Sequence, residues 1–308
     1  MSTRDILISG ASIAGPALAL ALVRRGFRPV VVERAPALRE GGYKIDVRGA
    51  AIDVVKRLGV HAAVRQASTD VQGGTFVDGA GRRLVSLDGA TIGFRSGEDV
   101  ELLRGDLARI LFERSRDQVE YRFGHSIASL RDDGHGVEVT FEHGAAQRFD
   151  LVIGADGLHS QVRSLAFPDA GGCERALGNF IAICSVPNDF QLDRWELIHR
   201  APGRIVQVYS TRGDAAAEVL ASELAAAGGD HARGLPAYEA RMRPFVARNQ
   251  ALGRDVARQQ VQTGRAQIWL QTQMMRLLAY LPWKERVMAG FVEKVSGAAN
   301  AIALQPEA

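Results

Sequence analysis

The chain opens on an apolar run, Ile6-Leu7-Ile8, followed by small residues and then by Leu and Ala at helical spacing up to Val23. A short apolar run bounded by glycine reads as a buried strand. The pattern predicts a strand over Asp5 to Ser9, a helix over Ser12 to Arg25 stopped at Gly26, and a strand over Pro29 to Glu33. That βαβ unit begins a parallel sheet. Ile6 to Val23 carries no charge and approaches the length of a membrane segment, but Gly10, Ser12, Gly15 and Pro16 break it, so no membrane span is expected.

The rhythm then shortens. Tyr43 to Val47 alternates as a strand, Ala50 to Leu58 has helical spacing ended by Gly59, and Val71 to Val77 with Arg83 to Leu87 form a hairpin around Asp78-Gly79-Ala80-Gly81. A strand over Val100 to Leu103 leads to a helix over Leu107 to Arg114. Three strands follow: Val119 to Phe123 running on through Ile127 to Leu130, then Val137 to Phe141, then Phe149 to Ile153. Such an antiparallel meander can return the chain to a parallel sheet without a helix. Two further strands are expected over Phe180 to Val186 and Arg204 to Ser210, and beyond Ala215 the chain reads as largely helical.

The fold expected is α/β: a Rossmann-like domain with a parallel sheet and an antiparallel meander, a reduced β region, and a helical C-terminal segment. The boundaries fall at 1–172, with a hairpin insertion near 71–99, then 173–212 and 213–308. The runs from Gly178 to Arg212 would form little more than a hairpin, which is seldom stable alone. Its open edge leaves pairing with a second copy, a homo-oligomer, open. The apolar stripe from Ile268 to Trp283 suits core or subunit packing more often than membrane contact.

Composition narrows the function classes. With 46% hydrophobic and 24% charged residues, the chain can bury a sizeable core. The net charge of +3 comes from scattered Lys and Arg, with no basic run interleaved with aromatics, so no nucleic-acid partner is expected. Cys173 and Cys184 are too few for a disulfide framework, which suits a reducing, cytoplasmic setting. The seven histidines show no metal-ligand spacing, and no metal is expected.

The chemistry-bearing pattern is Gly10-Ala11-Ser12-Ile13-Ala14-Gly15, placed after a strand and at the start of a helix, with Glu33 closing the next strand. Gly10 permits the tight turn, Gly15 permits close helix packing, and the free N–H groups at the helix start attract a pyrophosphate. Ser12 stands where a middle glycine is usual. Its small side chain still lets backbone approach phosphate. Glu33 can accept both hydroxyls of an adenosine ribose and would repel a 2′-phosphate, which favours FAD or NAD at this site over NADP.

With these residues the chain resembles the FAD-dependent aromatic-hydroxylase family of monooxygenases, which includes para-hydroxybenzoate hydroxylase and the tetracycline-inactivating flavoenzymes. The resemblance rests also on Glu33-Arg34, on Arg104-Gly105-Asp106-Leu107, and on Asp150 to Gly157 followed by Ser160, Val162 and Arg163. It implies that Arg104 reaches the FAD phosphates, that Arg34 lies by the adenosine, and that Asp156 contacts the region shared by FAD and the incoming pyridine nucleotide. Arg48 would lie on a loop facing flavin and nicotinamide. The implied activity uses NAD(P)H as transient co-substrate and O2 to hydroxylate a small aromatic or polyketide-like substrate, with few catalytic side chains; none is singled out.

The family's third motif, Gly-Asp followed by a proline- and glycine-containing loop over the flavin, has only a superficial counterpart in Gly213-Asp214-Ala215-Ala216. Resemblance resumes at Glu218-Val219-Leu220, as if a middle block were missing. Two other readings therefore stand beside the monooxygenase. One is a flavin-binding or partner-binding protein that does not hydroxylate, and the other is an NAD-linked dehydrogenase, which Glu33 would suit equally.

Overall fold

A computed structural model describes residues 4–39, 42–169, 174, 181–183, 188–209, 231–260, 264–278 and 284–302. The predicted βαβ unit is present as β1 (Asp5–Ser9), α1 (Ala14–Val23) and β2 (Arg28–Glu33). The chain then runs through β3 (Lys44–Val47), α2 (Ala50–Arg57), α3 (His61–Gln66), β4 (Gly73–Val77), β5 (Arg83–Asp88), α4 (Gly89–Gly93), β6 (Val100–Leu103) and α5 (Arg104–Ser115). After β7 (Glu120–Phe123) come β8 (Ile127–Asp132), β9 (Val137–Phe141), β10 (Gln147–Phe149), β11 (Leu151–Gly154) and α6 (Gln161–Ala166). The described remainder comprises β12 (Trp195–Ala201), β13 (Arg204–Val208), α7 (His231–Gln260), α8 (Arg265–Leu278) and α9 (Lys284–Ala299).

The central sheet has the order β11-β1-β2-β7, and every pairing in it is parallel. Such a sheet is buried on both faces, which explains its apolar strands. Leu20 and Leu22 of α1 are fully buried on one face of it, together with Ile6, Ile8 and Val31. Gly26, at φ +81°, ends α1, and the Phe27 N–H turns back to the Leu22 carbonyl at 3.1 Å. On the other face Leu7 and Val32 pack against Ile127, Val139, Phe141 and Phe149 of the meander and Val162 of α6.

Two strand boundaries differ from expectation. Residues 119–130 do not form one strand: the chain turns at Gly124, at φ +69°, whose N–H donates to the Ala35 carbonyl at 2.9 Å. β7 therefore closes the parallel sheet while β8 begins the meander. The expected strand over Phe149 to Ile153 divides at Asp150, whose carboxylate accepts the N–H groups of Arg4 at 2.7 Å and Asp5 at 2.9 Å.

β12 was not expected from the sequence. It lies parallel to β4, giving a second sheet ordered β13-β12-β4-β5, so the late hairpin extends the early one instead of standing alone. The inward-facing Glu196, 1% exposed, breaks the apolar alternation that would have marked this strand. Of the expected strand over Phe180 to Val186, residues 181–183 have no regular structure and the others lie outside the described residues, as do Cys173, Cys184, Gly213-Asp214 and Glu218-Val219-Leu220.

α8 covers the second sheet. Met275 packs against Phe76, Val85 and Ile198, and Arg276 Nε donates to the Leu84 carbonyl at 2.9 Å. The opposite side of α8 exposes Trp269, Leu270, Met274 and Leu277. Among the described residues no helix is long and apolar enough to cross a membrane.

Tyr121 provides a stability test for the first core. Its hydroxyl lies 2.7 Å from Ser115 Oγ, its ring meets Phe112 edge-on at 4.8 Å, and burial pushes its pKa up to about 12. The folded state thus keeps the phenolic proton over a range in which the unfolded chain, titrating near 10, loses it. Stability from this group is intact below about pH 10 and is lost as pH rises towards about 12. Tyr121→Phe should cost about 1 kcal/mol at neutral pH and flatten the alkaline decline of the urea midpoint. Equal alkaline declines in both proteins would show that this phenol is not the titrating group.

Candidate functional site

Three parallel strand ends meet at one point. After β1, Gly10 adopts φ +111°, and a Cβ there would stand 2.5 Å from the Ala155 carbonyl oxygen beyond β11. A Cβ on Gly15 would stand 1.9 Å from the Gly10 carbonyl oxygen. Only glycine fits either position. The Gly10 N–H donates to the Val32 carbonyl at 2.7 Å and the Ala155 N–H donates to the Ser9 carbonyl at 2.8 Å, stitching the ends of β1, β2 and β11 together.

Glu33 is held in place by backbone. Its two carboxylate oxygens accept the N–H groups of Ala11 and Ala35, each at 3.0 Å. Each oxygen retains a further lone pair for another donor. No side chain caps the start of α1, where Ser12 and Ile13 are half-buried and Ala14 is exposed. The positive end of the helix dipole is therefore left for an anion.

Asp156 organises the turn beyond β11. It accepts the Val162 N–H at 3.1 Å, a longer bond from Ser9 Oγ at 3.3 Å, and a short one from the Ser160 hydroxyl. Ser160 in turn caps α6 by accepting the Arg163 N–H at 3.0 Å. Asp156 thus ties β1 to α6 across the mouth of the strand ends.

The arginines differ in their freedom. Arg104 heads α5, and its backbone N–H donates to the Tyr43 carbonyl at 3.1 Å. Its side chain is half-buried, and no carboxylate among the described residues pairs with it. Arg34 is exposed. Arg48 is already engaged: its guanidinium lies 2.6 Å from Asp46 and donates to the carbonyls of Gly93 and Phe94 at 2.6 and 2.7 Å. Burial pushes the Asp46 carboxyl up, and Arg48 pulls it back.

A second polar centre escaped sequence reasoning. Lys44 of β3 lies 2.7 Å from Glu196 of β12 and 3.3 Å from Glu101 of β6, and both acids are buried. Its trace in the sequence is a charged residue set among apolar ones in each of three strands: Lys44 in Lys-Ile-Asp-Val, Glu101 in Val-Glu-Leu-Leu and Glu196 in Trp-Glu-Leu-Ile.

Residues 3–276 match the model of the FAD binding domain family. The chain belongs to that family. An uncharacterized protein of Mycobacterium tuberculosis (strain ATCC 25618 / H37Rv) is 45% identical over 213 residues, covering 68% of this chain and 57% of the relative. A flavin-dependent monooxygenase from an unknown prokaryotic organism is 41% identical over 210 residues, covering 68% of this chain and 54% of the relative. The chain spans about half the length of the curated relatives it matches. Among solved structures, the tetracycline destructase Tet(55) superposes with a TM-score of 0.80 at 26% identity, covering 99% of each chain. HpxO of Klebsiella pneumoniae, as an R204Q variant complexed with FAD, shares the fold with a TM-score of 0.68 at 17% identity, covering 95% of this chain and 98% of that one.

The residues present fit FAD. The glycine turn admits no Cβ, the start of α1 lacks a side-chain cap, and the Arg104 guanidinium has no carboxylate partner among the described residues, all of which suit an anionic pyrophosphate. Gly10→Val should drive a side chain into Ala155 and yield protein without bound flavin. Visible absorbance of the purified variant checks this. Stoichiometric flavin in that variant would move the cofactor away from this turn.

Proposed function

We propose that this chain is a flavoprotein monooxygenase that takes electrons from NAD(P)H and uses O2 to hydroxylate an aromatic or polyketide-like small molecule. The observation that carries the reading is the meeting of Gly10, Glu33 and Asp156 at the ends of three parallel strands, two sequence motifs far apart joined at one place. The flavin-dependent monooxygenases among the relatives and the tetracycline destructase among the solved structures support it.

In this reading the turn formed by Gly10, Ser12, Ile13, Ala14 and Gly15 binds the pyrophosphate with backbone N–H groups. Glu33, fixed by Ala11 and Ala35, accepts the ribose hydroxyls. Arg104 neutralises phosphate charge, and Arg34 lies over the adenosine. Asp156 stands where FAD and the incoming nicotinamide meet. Arg48, committed to Asp46 and two carbonyls, holds its loop in shape beside the flavin. Bound FAD supplies the oxygen-activating chemistry, and the protein's share is to orient the ring and keep water away.

A second reading has its own observation. Gly213-Asp214 is followed at once by Ala215 to Ala227, a run with neither proline nor glycine where the family's flavin-covering loop would stand. A flavin-binding protein that does not hydroxylate would fit that fact. The match to an FAD binding domain weighs against the NAD-linked dehydrogenase.

The two surviving readings separate in one assay. FAD-loaded protein is supplied with NADPH or NADH and a panel of phenols and polyketide-like aromatics, with oxygen uptake and product mass recorded. A monooxygenase oxidises the nucleotide faster with its substrate and releases a product one oxygen atom heavier. Yellow protein whose nucleotide oxidation is unaffected by every phenol, with no oxygenated product, favours the non-hydroxylating reading.

A further inference from the structure

Three strands from two sheets, β3 and β6 of one and β12 of the other, are joined by charges the cofactor reading does not use. Lys44, with its side chain 17% exposed, lies between Glu101 and Glu196, which are 5% and 1% exposed. Arg95 Nη1 lies 2.5 Å from Glu101, Thr69 Oγ1 donates to Glu101 at 2.8 Å, and Gln207 Nε2 donates to Glu196 at 2.7 Å. On the β3–β6 ladder Glu101 stands directly opposite Asp46, a like-charged pairing that needs the flanking cations Lys44, Arg95 and Arg48. Room for the third acid comes from Gly74, where a Cβ would stand 2.4 Å from Glu196 Cγ.

Stability alone does not account for this arrangement. Buried ion pairs seldom outperform well-packed apolar side chains, and their best-attested service is to fix register. An ammonium shared by two carboxylates admits one alignment of the strands, whereas an apolar contact tolerates sliding. The strand so aligned leads directly to the cofactor site. Lys44 pairs with Leu103, and the neighbouring Tyr43 carbonyl accepts the N–H of Arg104 at the head of α5.

We propose that Lys44 is a positioning residue for the phosphate end of the cofactor. Held between Glu101 and Glu196, it locks the β3–β6 ladder, and with it Arg104, to the sheet formed by β4, β5, β12 and β13. The proposal rests on the reading of Arg104 as a phosphate ligand.

The test titrates apo-protein with FAD, following flavin fluorescence, while thermal unfolding is recorded on the same samples. Wild-type protein that fails to bind FAD would refute the site reading itself. Where it binds, Lys44→Met should raise the Kd for FAD about tenfold, and Lys44→Arg should recover most of the loss. Combined with Arg104→Ala, Lys44→Met should add little further loss, because both act on one contact. A Lys44→Met protein with lowered Tm and unchanged Kd, or effects of the two substitutions that simply add, would overturn the proposal. Should Lys44→Met not fold, Gln207→Leu removes only one donor to Glu196 and should raise the Kd about threefold. An unchanged Kd there would be equally decisive against it.

Discussion

The close contact between the turn after β1 and the turn after β11 is the constraint on which the cofactor site depends. Parallel pairing of Ile8 with Ile153 and of Ser9 with Gly154 brings the Gly10 backbone against Ala155 and Asp156 with no space for a side chain. Once those turns touch, Glu33 can bind the Ala11 N–H and Asp156 can reach Ser9. The uncapped backbone donors at the start of α1 then lie beside an acid suited to ribose hydroxyls. The elements packed on the central sheet serve this alignment: α1 buries one face, and the meander with α6 buries the other.

The second sheet depends on the same region through a different force. Its apolar contact is small, with Phe76, Val85 and Ile198 at the centre and Met275 of α8 closing over them. Its ionic tie to the β3–β6 ladder runs through Lys44 with Glu196 and through Arg95, just after α4, with Glu101. Removing one partner of such a pair leaves a buried charge uncompensated, so the link is brittle as well as specific.

The sequence was most informative where a steric demand leaves one residue type. Gly10, Gly15 and Gly26 mark the βαβ unit because each sits where a Cβ would clash or φ is positive, and Glu33 stands at the one strand end that can reach the turn. The break at Gly124 was hidden, because apolar residues continue on both sides and only long-range bonds to Ala35 and Glu33 decide where the strand stops. β12 was hidden for a related reason: Glu196 occupies an inward position that pattern reading assigns to an apolar residue, and its partner Lys44 lies 152 residues away. Arg48 was readable as a residue near the site, but not its commitment to Asp46 and the Gly93 and Phe94 carbonyls, which depends on how the hairpin folds back.

The central claim is that the mouth formed by β1, β2 and β11 recognises the adenosine and pyrophosphate half of FAD. Competition against bound FAD tests it most directly, with ADP and FMN added separately to FAD-loaded protein and released flavin followed by fluorescence. The account predicts that ADP displaces FAD competitively and that FMN at equal concentration does so far more weakly. Displacement by FMN with no effect of ADP would contradict it, placing the recognised half of the cofactor elsewhere in the chain.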